Sequence, residues 1–338
     1  MINLKETLFK LSKTDAAGAC SAAADLAYEM LSAVCETQKT GTLGVIGFLK
    51  GESDYTLMLD AHIDQISMVV TDIDNDGFLT VAKAGGFDLR ALPSRRVTVH
   101  GKEKITAVFC STPPHLSQGD IEFKDIADLK LDTCLGEDAK KLISVGDIVT
   151  FCTEPEELSG SVVTGKSFDD RAAVACVIEL ARRLSREKLP FNVVFALSDG
   201  EELGMRGARP LTFKVNPDEA IAIDVSFGDG VGISEDECGK LGGGGMIGIA
   251  PLLDKKISDT LKNLAIDKNI PYQLEVMGRS TGTNADVISL SREGVRTGLL
   301  SIPLRNMHTD SEIVDLKDLK AVTDLLYEYV LSGGVKNA

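Results

Sequence analysis

The stretch Asn192-Val-Val-Phe-Ala-Leu-Ser-Asp-Gly-Glu-Glu-Leu-Gly-Met-Arg-Gly-Ala208 decides how the rest of the chain is read. Its six mostly apolar opening residues suit a strand covered on both faces. They run into two adjacent carboxylates, Glu201 and Glu202, followed by glycine two residues on. Like charges at a strand end repel unless something positive sits between or beside them, and a metal ion is the usual remedy. For an isolated Glu-Glu pair a solvated turn is the ordinary alternative, so the remaining chain has to decide between the two.

Composition narrows the choice. At 338 residues with 43% apolar side chains the chain has room for about two domains and a substantial core. Lys and Arg number 36 against 51 Asp and Glu, a formal charge of -15. That balance repels nucleic-acid backbones and anionic membranes, so neither is an expected partner. The opening Met1-Ile-Asn-Leu-Lys-Glu-Thr-Leu8 lacks the basic-then-apolar pattern of a signal peptide, and no apolar run approaches a membrane span. A cytoplasmic location is expected. Cys20, Cys35, Cys110, Cys134, Cys152, Cys176 and Cys238 are scattered singly, which implies reduced, mostly buried thiols and leaves any metal to His and carboxylates.

Working outward, residues 4–11 form a helical segment. Ala23, Leu26, Ala27, Met30, Leu31 and Val34 then carry the spacing of a packed helix face. Residues 41–48 and 55–59 read as strands, the second leading into Asp60-Ala-His-Ile-Asp64 and placing His62 just past its end. From 67 to 159 the texture changes to short β-type runs separated by turns such as Asp74-Asn-Asp-Gly77 and His100-Gly-Lys-Glu103. This is read as a small sandwich or β-barrel, a β domain inserted into a discontinuous domain of residues 1–66 and 160–338. That domain resumes with a helix at 171–186, the strand at Asn192, a strand at 220–224, a helix at 255–268, a strand at 295–302 and a helix at 315–331. Strands alternating with amphipathic helices predict an α/β fold: a mixed, largely parallel sheet with helices on both faces. Ligands in such sheets sit beyond the carboxyl ends of the strands.

Four apolar strands are each tied to a candidate ligand: His62, the Glu201–Glu202 pair, Asp224 and His308. Asp169 and Asp170 open the helix that starts at Arg171. Each has an ordinary role when taken alone, a loop histidine, a turn aspartate or a helix cap, but parallel strands would gather all of them at one edge.

On these residues the chain resembles the tetrahedral aminopeptidase family, the glutamyl-aminopeptidase and cellulase-like metallopeptidases with a two-metal site. The likeness runs from about residue 4 to 331. It is carried by Asp60-Ala-His-Ile-Asp64, Phe168-Asp-Asp-Arg171, Glu201-Glu-Leu-Gly-Met-Arg-Gly-Ala208, Ala222-Ile-Asp-Val225, Gly282-Thr-Asn-Ala285, Ser301-Ile-Pro303 and Met307-His-Thr309. The resemblance implies that His62 and Asp224 hold one metal, Glu202 and His308 the other, and that Asp169 bridges them. It gives Glu201 as general base and implies a cis peptide between Asp169 and Asp170. Asp64 would orient His62. The gap of 107 positions between His62 and Asp169 holds the inserted barrel, which in the family is a lid and an assembly surface, so a hollow homo-oligomer, a dodecamer built from dimers, is expected. Three positions depart from the family pattern: Gln65 where Glu is usual, Asp199-Gly200 where Val-Gln is commoner, and Asn284 where Asp is usual.

Imidazole and carboxylate donors without thiolate suit two divalent ions, Zn²⁺ first and Co²⁺ or Mn²⁺ as alternatives. The expected reaction is removal of N-terminal residues from peptide substrates by an activated water. A two-metal deacylase of N-acylated amino acids is the neighbouring alternative, and a non-catalytic metal-binding assembly protein a more distant one, disfavoured by Glu201.

Three motifs compete. Gly160-Ser-Val-Val-Thr-Gly-Lys-Ser167 matches a Walker A pattern letter for letter, which would make the protein a nucleotide hydrolase. Its β-branched centre favours a strand, however, and Asp169 and Asp170 stand where phosphates would bind. Gly278-Arg-Ser-Thr-Gly282 matches a nucleophile elbow at Ser280, but only one strand is expected after it. The spacing of Gly243, Gly245 and Gly248 matches a dinucleotide fingerprint in letters alone. His100 and His115 are assigned to the β domain without a chemical role.

Overall fold

Residues Asn192–Ser198 form a strand buried along all but its first residue. Val193, Phe195 and Leu197 join one hydrophobic cluster and Val194 and Ala196 another, so the period of two along the strand feeds two separate cores. This is the packing that a continuous apolar run requires: one sheet with both faces covered. The computed structural model describes residues 4–18, 21–41, 44–116 and 125–337.

The strand sits in an eight-stranded sheet in the order Glu36–Lys39, Gly44–Leu49, Asn192–Ser198, Thr56–His62, Glu219–Phe227, Arg296–Leu304, Gly245–Ile249, Tyr272–Val276. The four strands from Asn192–Ser198 to Arg296–Leu304 are mutually parallel. Gly44–Leu49 and Gly245–Ile249 flank them antiparallel. The edge strand Glu36–Lys39 has no apolar residue, so periodicity gives it no signal. One face of the sheet is covered by Phe168–Leu184, against which Leu4–Ser12 and Leu316–Ser332 pack; Ala208–Val215 and Ala285–Ile288 cover the other.

The β-type texture resolves into a closed antiparallel barrel of Ser67–Ile73, Leu79–Ala84, Leu131–Asp132, Lys104–Phe109, Arg96–His100 and Ile148–Phe151. Its own core includes Met68, Val81, Val97, Phe109 and Val149. Closure leaves no open sheet edge. The next strand, Glu156–Ser159, pairs outside the barrel with Val162–Gly165, which in turn pairs with Glu312–Asp315.

Several expectations are corrected. His62 is the last residue of its strand, not a residue beyond it. The thiols of the described residues are unpaired, but only Cys176 is buried. Cys134 is exposed and Cys35, Cys110, Cys152 and Cys238 are half-buried, because they fall at strand ends and turns where cover is partial; Cys20 lies outside the described residues. The nucleotide-hydrolase reading fails locally. Val162–Gly165 is an extended strand, and the Lys166 ammonium that would hold phosphate is buried against Asp15 Oδ1 at 2.7 Å. The glycine-rich run serves the sheet instead. Gly242 and Gly244 donate their amides to the two Asp318 oxygens, each at 2.7 Å. A side chain on Gly244, at φ +93°, would meet the Pro271 carbonyl oxygen at 2.0 Å, so the chain enters strand Gly245–Ile249 through a turn that only glycine permits.

Burial pushes Asp318 up to about 6 against the pull of those two amides. A carboxyl raised above its usual 3.8 contributes stability that is fully present below that value and lost as pH rises through about 6. Asp318→Asn does not titrate. Its deficit in unfolding free energy relative to wild type should therefore be largest near pH 4 and shrink by pH 7, as read by urea denaturation at both pH values; a deficit that stayed constant would remove Asp318 as the titrating group.

Candidate metal centre

Parallel strands bring the candidate ligands to one edge of the sheet. His62 ends strand Thr56–His62, paired with Ser198 in the neighbouring strand. Asp224 lies within Glu219–Phe227, and His308 follows Arg296–Leu304. Asp169 heads helix Phe168–Leu184, where Asp169 and Asp170 leave helical geometry and the peptide between them is cis. The turn after Asn192–Ser198 settles how two consecutive glutamates reach one site. Gly200 takes φ +77°, the Arg206 amide closes onto the Gly200 carbonyl at 2.9 Å, and the Met205 amide onto that of Glu201 at 2.9 Å. From below, Asp64 accepts the Glu201 amide at 3.1 Å and the Glu202 amide at 3.2 Å, one on each oxygen.

The result is two donor sets that share one carboxylate. His62, Asp169 and Asp224 offer atoms within 4.8 Å of one another, and so do Asp169, Glu202 and His308. Asp169 Oδ1 lies 2.9 Å from His62 Nε2 and Oδ2 lies 3.2 Å from His308 Nε2. His308 Nε2 is also 3.3 Å from Glu202 Oε1, and His62 Nε2 is 3.9 Å from Asp224 Oδ1. Asp64 Oδ1 stands 3.4 Å from His62 Nδ1 on the opposite side of the ring. Glu201 lines the same cavity as His62, Asp169, Asp224 and His308 but belongs to neither donor set.

The electrostatics are those of too many carboxylates around too few cations. Burial raises Glu202 to about 8, with Asp169 adding repulsion. Burial likewise raises Glu201 and takes Asp224 well above the carboxylate range. Burial opposes charge on His308 too, but its bond to Asp169 and the neighbouring carboxylates lift it to about 9. His62 is raised for the same reasons, and Asp169, though buried, is lowered by its two histidine partners. A divalent cation between these groups would relieve both the repulsion and the cost of burial. Two imidazole nitrogens and carboxylate oxygens are the donors such an ion accepts.

Three supports were not foreseen from the sequence. Glu312, 1% exposed, accepts the Asp169 amide on Oε2 at 3.0 Å and the His308 amide on Oε1 at 2.9 Å, so one carboxylate fixes two candidate ligands. Its only signal is its position four residues after His308. Asp170, wholly buried, accepts the His62 amide at 3.2 Å. Asp60, raised by burial to about 7, accepts from Ser198 at 3.2 Å and Asn284 at 2.8 Å. Asn284 thus supplies a donor to Asp60 where a carboxylate would repel it, and Gln65 accepts from the buried Arg171 at 3.4 Å. Ser280, the elbow candidate, is exposed in the loop 277–284 between strand Tyr272–Val276 and helix Ala285–Ile288, which is too long for the sharp strand-to-helix turn of a nucleophile elbow.

A family model described as M42 glutamyl aminopeptidase matches residues 44–325. The lysyl aminopeptidase of Pyrococcus furiosus is 32% identical over 304 residues, covering 87% of this chain and 87% of that protein. A solved aminopeptidase from the archaeon Desulfurococcus kamchatkensis superposes with a TM-score of 0.89 at 30% identity, over 97% of this chain and 94% of that one. The Pyrococcus horikoshii TET1 peptidase, which can assemble into a tetrahedron or a large octahedral shell, does so with 0.87 at 27%, over 97% and 99%.

Glu312→Gln keeps the length of the side chain but offers a single carbonyl acceptor for two amides. Zn²⁺ titration of the metal-stripped variant should show affinity about 10- to 100-fold weaker than wild type, with an unchanged far-ultraviolet circular dichroism spectrum. Unchanged affinity would show that the ligands are held without Glu312.

Proposed function

The chain belongs to the M42 glutamyl aminopeptidase family, and on that premise we propose that it removes N-terminal residues from peptides with two divalent metal ions and Glu201 as general base. The observation that carries the reading is the Asp169 carboxylate, one oxygen facing His62 and the other His308.

The donor chemistry fits the ions. His62 and Asp224 would hold one, Glu202 and His308 the other, and Asp169 both; imidazole nitrogens and carboxylate oxygens suit Zn²⁺, with Co²⁺ or Mn²⁺ as alternatives. Bound there, the pair supplies Lewis-acid polarisation of the substrate carbonyl and lowers the pKa of a water. The protein does the rest. Glu201, in the cavity but outside both sets, takes the proton from the attacking water and delivers it to the leaving nitrogen. Burial raises its pKa, the direction that makes a carboxylate a better base. Asp64 is a positioning residue: it sets the Glu201–Glu202 turn through their amides and faces His62 Nδ1. Glu312 and Asp170 hold the backbone of Asp169, His308 and His62. A structural metal site has no use for a base such as Glu201, which argues against a non-catalytic role.

A homo-oligomer is proposed, supported by the assemblies described for the P. horikoshii relative, with the segment 67–159 proposed as its lid and assembly surface. Light scattering on the full-length protein should give a mass many times the 36.1 kDa of one chain. A monomer or simple dimer would confine the proposal to the catalytic site.

The two glutamates separate the mechanism from its alternatives. Glu202→Gln should lower bound metal together with activity, since an amide is a poorer ligand. Glu201→Gln should keep both ions while turnover falls by about two to four orders of magnitude. Elemental analysis and aminoacyl-amide turnover on the purified variants check this; the opposite pattern of metal loss would exchange the two roles.

A further inference from the structure

The cavity lined by His62, Asp169, Glu201, Asp224 and His308 encloses about 280 Å³. A neighbouring cavity of about 260 Å³ shares Ser226, Phe227, Glu275 and Thr281 with it, while none of those five residues lines the second space. Glu275 therefore stands at the junction, on strand Tyr272–Val276. Its Oε2 accepts the Ser301 hydroxyl at 2.7 Å and its Oε1 accepts the Ser226 hydroxyl. Two hydroxyls satisfy lone pairs without compensating a charge, and among the described residues Glu275 enters no ion pair. Burial accordingly raises its pKa, against the pull of both serines. The second cavity adds the exposed Asp236 and Glu237, and neither cavity is lined by Lys or Arg.

We propose that Glu275 selects substrates whose N-terminal residue carries a cationic side chain, lysyl or arginyl, an inference that rests on the aminopeptidase reading above. A cation reaching from the first cavity to the junction gives the carboxylate a partner that none of the described residues supplies. A neutral side chain leaves Glu275 desolvated and uncompensated. An acidic one meets Glu275 with Asp236 and Glu237 beyond it, and is repelled. The free α-amine is a poorer candidate for Glu275, because the residues proposed to act at the scissile bond line only the first cavity.

The test compares kcat/KM of the Zn²⁺-loaded full-length enzyme on lysyl, norleucyl, leucyl and glutamyl p-nitroanilides; norleucine has the reach of lysine without its charge. Lysyl substrate should exceed norleucyl by at least about tenfold, the worth of one hydrogen bond to a charged group. Glu275→Gln should abolish that ratio while leaving norleucyl turnover close to wild type. Wild type that cleaves norleucyl or glutamyl substrate as fast as lysyl overturns the selectivity and leaves the aminopeptidase reading standing. No cleavage of any of the four overturns that reading and the inference with it. A Glu275→Gln variant slowed equally on all four assigns Glu275 to the free amine or to the fold, which also overturns it. Should the variant not fold, competition on wild type decides: L-lysine must inhibit better than L-norleucine, and equal inhibition overturns the proposal.

Discussion

One carboxylate shared by two histidines sets the terms for this structure. Asp169 places an oxygen against His62 and another against His308, inside a ring of acidic groups that burial and mutual repulsion drive away from ionisation. Such a cluster is costly unless cations occupy it, and the surrounding fold is arranged to hold its members in place. The sheet supplies the positions, since parallel strands end together at one edge. Loops and helix ends supply the directions.

Those directions are fixed mainly through backbone amides. Glu312 clamps Asp169 and His308, Asp64 clamps Glu201 and Glu202, and Asp170 holds His62. These contacts fix pieces of chain, with Asp64 also facing the His62 ring at Nδ1, and so leave the ligand atoms free to face the cavity. Buried acids that satisfy paired amides recur away from the centre, where Asp318 holds the glycine turn before Gly245–Ile249. The proposed division of labour follows from this arrangement: ions at the donor sets, proton transfer at Glu201, and side-chain selection at Glu275, where the cavity passes into its neighbour.

Two short motifs show why letters alone mislead. The Walker-type run has the right residues, but its valines pair with Glu312–Asp315 and its lysine is buried on Asp15. The glycine triplet has the spacing of a phosphate loop, yet Gly245 and Gly248 lie in a strand, and Asp318 takes the amides of Gly242 and Gly244 at the turn before it. In both cases a partner more than 70 positions away along the chain decides the matter.

Apolar period and strand-helix alternation by themselves determined the α/β sheet, the presence of an inserted β domain, and the gathering of His62, Asp169, Glu201, Glu202, Asp224 and His308, because burial on two faces leaves a local and repeated mark; closure of the insert into a barrel was decided by the tertiary structure. The resemblance added the assignment of roles to those residues. Strand Glu36–Lys39 left no mark, being a polar edge strand with little to bury. Only the tertiary structure decided that His62 belongs to its strand, that the turn at Gly200 turns two neighbouring glutamates toward one cavity, and that Glu312 supports both ends of the centre. These are contacts between segments far apart in sequence. A residue whose work is to accept amides from a distant loop looks, in its own neighbourhood, like any other acid at the start of a strand.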